Sequence, residues 1–271
     1  MKVTFLVPSD AASGGVRVTM QMGNKLLERG HAVRIAYRRP PWLSRDRWRA
    51  FARSVKFRFQ RTLPTHWLSY FKGRKQSFAN LADLQFEDNE IVISTGIHTI
   101  ADLDKLQRNV HKIRYCHGLL EHEPEEVRKL WLWRGPMDTI AVSPALIPAL
   151  RNYCEGRILG VVPNGIAFDE YFLEGQRREG VGLIYGQHPV KGPEVALALA
   201  KAIRARFPEI PLYCFGSSRR PAALPADCYT RFPSIEIARQ IYNLCKVWVV
   251  TSRDEGFCLP ILEAMACGCA V

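Results

Sequence analysis

Two glutamates, Glu255 and Glu263, stand eight positions apart in the run Glu255-Gly-Phe-Cys-Leu-Pro-Ile-Leu-Glu263. Eight positions is about two turns of α-helix. The pattern places Glu255 in a loop just before a helix and Glu263 about two turns in. A carboxylate accepts hydrogen bonds from neighbouring hydroxyls, so Glu263 suits a ribose and Glu255 suits a sugar ring. The amides of Gly256, Phe257 and Cys258 open the helix, where N–H groups and the helix dipole favour a phosphate. An apolar run, Val247 to Val250, comes just before and reads as a buried strand feeding this turn. The chemistry in outline is recognition of a sugar nucleotide.

Three other loops carry matching residue types. In Tyr185-Gly186-Gln187-His188-Pro-Val-Lys191-Gly192, a lysine sits beside glycines at the entrance to a helix from about Pro193, a suitable diphosphate partner. Read alone it is more readily a solvated surface lysine. In Pro8-Ser-Asp-Ala-Ala-Ser-Gly14-Gly15, the glycines after the first strand allow backbone amides to approach a phosphate. That loop is neither G-x-G-x-x-G nor a P-loop, and a tight strand-to-helix turn explains it as well. Tyr115-Cys-His117-Gly118 ends a strand, and parallel sheets bind ligands at the carboxyl ends of their strands. His117 there can hydrogen-bond a ligand hydroxyl or pack locally; His98 is similarly placed.

The elements that must position these loops follow from hydrophobic patterning. Apolar, β-branched runs at Val3–Val7, Ala32–Tyr37, Ile91–Ser94, Ile113–Cys116, Thr139–Val142 and Ile158–Val162 read as strands, followed by Val181–Tyr185, Leu212–Phe215 and Val247–Thr251. Between them lie amphipathic stretches at Val16–Glu28, Ala101–Asn109, Glu123–Trp133, Ala145–Tyr153, Pro193–Arg206 and Ile235–Leu244. Alternation of buried strands with helices predicts the α/β class, with parallel sheets covered on both faces. The sheet restarts after Pro163-Asn164-Gly165. The polar stretch from Phe168 to Gly180 reads as a linker, giving a Rossmann-like domain over 1–174 and a second over 175–271. The second has room for three or four strands before Val271, against about six in a full nucleotide-binding unit, and is read as incomplete.

Composition narrows the class. With 47% hydrophobic and 24% charged residues the chain is ordinary globular material. No apolar run approaches the roughly 18 residues of a membrane span. The N-terminal run is too short for a signal peptide and reads as the first strand. Eight scattered cysteines lack zinc-site spacing and read as buried cytosolic thiols. The net charge of +12 is concentrated: residues 38–75 hold twelve basic residues against one acid, Asp46, mixed with aromatics such as Trp42, Trp48 and Trp67. Such an insertion suits an anionic membrane surface or packs as a local helical lid. Nucleic acid is not the expected partner, because a nucleic-acid fold spreads its basic residues over several elements.

The Glu255–Glu263 run resembles the E-x7-E signature of retaining GT-B glycosyltransferases of family 4. The resemblance extends to Gly14-Gly15-Val, Val142-Ser143, Val162-Pro163-Asn164-Gly165-Ile166 and the Gly186-to-Gly192 loop. Ala167 stands where the family often has aspartate, and Gln187 where it usually has arginine. The resemblance implies two Rossmann-like domains facing a cleft. It implies transfer of a sugar from a nucleotide diphosphate sugar to a glycan or lipid-linked acceptor, with retention, and no required metal or cofactor. Carried over by position, Lys191 neutralises the diphosphate, Glu263 holds the ribose, Glu255 contacts the donor sugar, His117 helps place it, and Gly15 lets the first loop approach. Gln187 offers a neutral amide in place of a cationic contact. The expected location is cytoplasmic, peripheral at the inner face of the membrane. The competing reading is a catalytically inert GT-B protein acting as a membrane-associated binding or partner subunit. A nicotinamide oxidoreductase is disfavoured, because Tyr37-Arg38-Arg39 stands where an acid would close the second strand.

Overall fold

The computed structural model describes residues 1–10, 13–38, 67–118 and 136–271. They form two compact units, Met1–Pro163 and Asn164–Val271. Each is an α/β unit built on an entirely parallel sheet, the fold class expected from the strand–helix alternation.

The first sheet has seven strands: β1 (Lys2–Val7), β2 (Ala32–Arg38), β3 (Arg74–Phe78), β4 (Glu90–Ser94), β5 (Val110–Cys116), β6 (Asp138–Ala141) and β7 (Ile158–Val161). Their order is β3-β2-β1-β4-β5-β6-β7, so the sheet changes its direction of growth between β1 and β4. Phe5, Leu6, Val7 and Val92 are fully buried, as strands covered on both faces require. Helix α1 (Gly14–Glu28) follows β1; its N-cap Ser13 accepts a hydrogen bond from the Val16 amide at 3.3 Å. Helices α2 (Ile97–Asp104) and α3 (Ile147–Tyr153) follow β4 and β6.

One buried charge network crosses this sheet. Arg34 of β2 donates to Glu90 of β4 at 3.1 Å, to Thr4 of β1 at 2.9 Å and to Gln76 of β3 at 3.2 Å. Arg34 and Glu90 are 5% and 1% exposed. Thr4 also donates to Glu90, and the Glu87 amide reaches the second carboxylate oxygen at 3.0 Å.

The second sheet has four strands: β8 (Gly180–Ile184), β9 (Leu212–Gly216), β10 (Tyr229–Arg231) and β11 (Cys245–Val249), ordered β10-β9-β8-β11. Successive strand residues point to opposite faces. Leu183 and Cys214 pack on one face beneath Ala196 and Ala200 of α4 (Pro193–Arg206). Phe215 and Trp248 pack on the other, against Ile241 and Tyr242 of α5 (Ile235–Leu244) and Ala264 of α6 (Leu259–Ala266). A Cβ at Gly182 would lie 2.1 Å from the Trp248 ring, so the glycine makes room for the indole. Beyond α6, Ala270 bridges to β11: the Trp248 amide donates to the Ala270 carbonyl at 2.8 Å and the Ala270 amide to that of Lys246 at 2.9 Å.

Four expectations change. The chain divides at Pro163/Asn164 rather than after residue 174, and the polar stretch from Phe168 to Gly180 is no linker. Tyr171, 1% exposed, sits in the core with Tyr242, and the Glu174 amide donates to Asn243 at 2.9 Å. Arg178 donates to the carbonyls of Cys267 and Gly268, both at 2.6 Å, closing the carboxyl end of α6.

Part of the basic insertion belongs to the sheet. Arg74–Phe78 is edge strand β3, paired in parallel with β2. Leu68 and Phe71 are buried, Trp67 lies 5.1 Å from the Arg17 guanidinium, and Asn24 of α1 bonds the backbone of Tyr70 and Lys72. Residues 39–66, and the helix expected at Glu123–Trp133, lie outside the described residues. Helix α2 begins at Ile97 rather than Ala101, because Thr99 and Ser94 bond the Gly96 carbonyl and start the first turn at the end of β4. Finally, β10 was absent from the patterning, since a three-residue edge strand leaves almost no periodicity to read.

All eight cysteines are free, and all but Cys154 are buried. Among the described residues no helix is long and apolar enough to cross a membrane. No group of His, Cys, Asp or Glu among them is gathered to hold a metal ion.

Candidate functional site

In the second unit the change of direction lies between β8 and β11, and the loops leaving their carboxyl ends come together there. This is where open parallel sheets bind ligands. The β8 loop, residues 185–192, and the β11 loop, residues 250–258, are joined by the backbone. The Arg253 amide donates to the Val190 carbonyl at 2.7 Å, and Thr251 Oγ1 to the Lys191 carbonyl at 2.9 Å. Gly192 permits the join: its φ is +57°, and a Cβ there would lie 2.2 Å from the Thr251 carbonyl oxygen. The third loop, after β9, enters through Ser218, whose Oγ accepts from the Gln187 amide at 3.0 Å.

That frame brings Lys191 and Glu255 together. The ammonium and the carboxylate form an ion pair at the mouth of the loops, both partly exposed. Arg253 pairs with Glu194 in the first turn of α4. Gln187 is exposed beside them. Gly256 and Phe257 lead into Cys258, the N-cap of α6, which holds a left-handed conformation at φ 59°. No side chain caps that helix, so its first amides have no side-chain acceptor. Burial pushes the Cys258 thiol up to about 11, so it stands there as a neutral thiol.

Glu263 occupies the second turn of α6, as the spacing predicted, but it is only 4% exposed. Its Oε2 accepts a hydrogen bond from the Tyr242 hydroxyl at 3.0 Å. Tyr242 escaped the sequence reading because an aromatic on an apolar helix face looks like any core residue. The acid itself was visible only through its distance from Glu255.

The remaining residues lie in the first unit. Gly14 and Gly15 form the exposed first turn of α1, and a Cβ on Gly15 would meet nothing within 4 Å. His117 follows β5 directly, its ring 4.2 Å from that of Tyr115. Its Nε2 is buried and makes no hydrogen bond among the described residues. Tyr115 donates to the Val162 carbonyl at 2.6 Å, which fixes the ring against which the imidazole tilts at 49°. His98 lies in the first turn of α2, its side chain outside the described residues.

Burial lowers the His117 imidazole to about 4, so it is neutral at physiological pH. Its unfolded-state value is near 6.5. Between those values the unfolded chain binds the extra proton, so stability rises with pH through this window and falls on acidification. Wild-type protein is expected to lose roughly 3 kcal/mol through this group as pH drops from 6.5 to 4. Urea unfolding of His117→Asn should show a correspondingly flatter slope. Equal slopes in the two proteins would show that His117 is not buried as a neutral base.

Residues 180–271 match the family model described as "Glycosyl transferases group 1". Over 95 residues the chain is 37% identical to the serotype-specific mannosyltransferase WbdA of Escherichia coli. That stretch is 35% of this chain and 9% of the relative, so the chain spans less than a tenth of the curated relative it matches. Among solved structures, S. aureus TarM, crystallised with fondaparinux, alpha-GlcNAc-glycerol and UDP, is similar with a TM-score of 0.72 at 9% identity, over 100% of this chain and 85% of that one. Anabaena HepE, crystallised with UDP and glucose, follows at 0.66 and 16% identity, over 99% and 79%. At such identities the structures speak for the fold. The chain thus has the GT-B fold, and its residues 180–271 match the model of the group 1 glycosyl transferases.

Proposed function

We propose that this protein is a retaining glycosyltransferase that moves a sugar from a nucleoside diphosphate sugar to a glycan or lipid-linked acceptor. The observation that carries the reading is the Lys191–Glu255 ion pair where the loops from the carboxyl ends of β8 and β11 meet, with Glu263 following in the second turn of the helix that the β11 loop enters. A lysine ammonium has three donors, so Lys191 can hold a diphosphate oxygen beside Glu255. Negative charge builds on the diphosphate as the glycosidic bond to it breaks, and a fixed cation stabilises that charge most where it develops. The Leu259 amide, at the start of α6, adds a donor at the positive end of the helix dipole; Pro260 has no N–H, and the Ile261 amide is bonded to the Cys258 carbonyl. Glu263 then takes the ribose hydroxyls, and Glu255 the donor sugar. The neutral imidazole of His117 suits a sugar hydroxyl, and the open face of Gly15 suits close approach of a ligand. Both are assigned to the donor by resemblance.

Gln187 supplies no second cation, which leaves Lys191 as the charged phosphate contact from the β8 loop. The protein that binds this donor class resembles TarM and HepE in fold, and both of those structures hold UDP.

A thermal-shift screen of UDP-, GDP- and dTDP-sugars tests the reading. One nucleotide class should stabilise the protein, by about 2.7 kcal/mol at a concentration a hundredfold above its Kd. Stabilisation by none of the three would overturn the donor assignment. Binding without transfer or hydrolysis of the sugar would favour the inert partner subunit instead.

A further inference from the structure

Tyr242 is fully buried at the heart of the second unit. Its ring lies 4.4 Å from that of Trp248 and 5.4 Å from that of Phe215, both edge-on. A phenol hydroxyl in an apolar core is stable there only with an acceptor. Here the acceptor is a carboxylate, Glu263 Oε2, at 3.0 Å and 21 residues further along the chain. The arrangement is costly unless it is used: a buried carboxylate must be hydrogen-bonded, and a leucine at either position would fill the same core. Helix α5, which carries Tyr242, is itself held by Asn243, which donates to the Phe172 carbonyl at 2.9 Å. The phenol therefore rises from a fixed platform.

We propose that Tyr242 is a positioning residue for Glu263. By donating to Oε2 it sets the carboxylate rotamer and turns the remaining acceptor capacity toward the ribose hydroxyls of the nucleotide. The inference rests on the role proposed above for Glu263, and adds the group that aims it. Without the phenol proton, the carboxylate keeps its place on α6 but loses one of the contacts that selects its orientation.

The test is Tyr242→Phe, which keeps the ring packing and removes only the hydroxyl. UDP, GDP and dTDP are titrated calorimetrically into wild-type and variant protein, together with the 2′,3′-dideoxy form of the tightest binder. The phenylalanine variant should bind the ribonucleotide about tenfold more weakly, with little change for the dideoxy form. In a Glu263→Ala background, Tyr242→Phe should have no further effect. Glu263→Asp, which draws the carboxylate back from the phenol, should show the same ribose-selective loss and serves if the phenylalanine variant folds poorly. Equal weakening of both nucleotides would mean that Tyr242 acts through packing alone, and overturns the inference. So would unchanged ribonucleotide affinity in a protein whose Glu263→Ala variant binds poorly. If Glu263→Ala itself binds as wild type, the donor assignment of Glu263 fails and the role of Tyr242 falls with it.

Discussion

On the proposed function, Lys191→Ala should lower kcat/KM for the nucleotide sugar by about 10²–10³-fold, the magnitude expected when a fixed group facing transition-state charge is removed. Its melting temperature should barely move. The Lys191–Glu255 pair is partly solvated, and such pairs contribute roughly 0–1 kcal/mol to stability. The separation of the two effects is what identifies the residue as functional. Calorimetry should show the variant losing more affinity for the nucleoside diphosphate than for the nucleoside, since the ammonium meets only the phosphates. Lys191→Arg should recover part of the loss, limited by the different reach and planar fork of the guanidinium. An alanine variant with unchanged diphosphate affinity would remove Lys191 from the site. Because Glu255 holds Lys191 in the unliganded protein, nucleotide binding also exchanges one partner of the lysine for another. Rising ionic strength should therefore weaken both pairings together.

Glu90→Ala should cost about 3–5 kcal/mol of stability, enough to unfold much of a typical domain. It strands the Arg34 guanidinium among β1, β2, β3 and β4 with its counter-charge gone. Burial pushes the Glu90 carboxyl up, but hydrogen bonds from Thr4 and the Glu87 amide, with the charges of Arg34 and Lys2, bring it below its ordinary value. A carboxyl so lowered contributes stability above its unfolded pKa, and that contribution fades as pH falls below about 4.5. Replacing both partners, Arg34→Met with Glu90→Leu, should recover most of the loss, because a buried pair exchanged for apolar groups is near neutral. Urea midpoints for the three variants decide this. A loss under about 1 kcal/mol for Glu90→Ala would show that water reaches the pair and that it behaves as a surface bridge.

The central strands were legible because burial on both faces leaves an apolar run, as in Val3–Val7 and Val181–Tyr185. The edges were not. Arg74-Lys-Gln-Ser-Phe78 is polar, as suits a strand that has a neighbour on one side only among the described residues, and its basic residues led it to be read with the insertion. Candidate site residues on loops were visible for the opposite reason: Lys191, Glu255 and Gln187 are polar groups at strand ends with no core to serve. Residues acting from within the core, such as Tyr242, share their composition with residues that only pack. The polar stretch at 168–180 misled in yet another way. Two of its charges belong to hydrogen bonds made after folding: Glu174 pairs with Arg239 at 2.6 Å, and Arg178 with carbonyls beyond α6.

Arg178 has a consequence for the order of assembly. It reaches Cys267 and Gly268 across 89 and 90 positions of sequence. Contacts of that span wait for loop closure, whose entropy must be met before they return anything. The helix bearing Glu263 is only eight residues long, too short to hold itself in water, and its carboxyl end depends on that distant guanidinium. Glu255 and Glu263 thus take up their positions late in folding, once a segment preceding β8 has docked against the carboxyl end of α6.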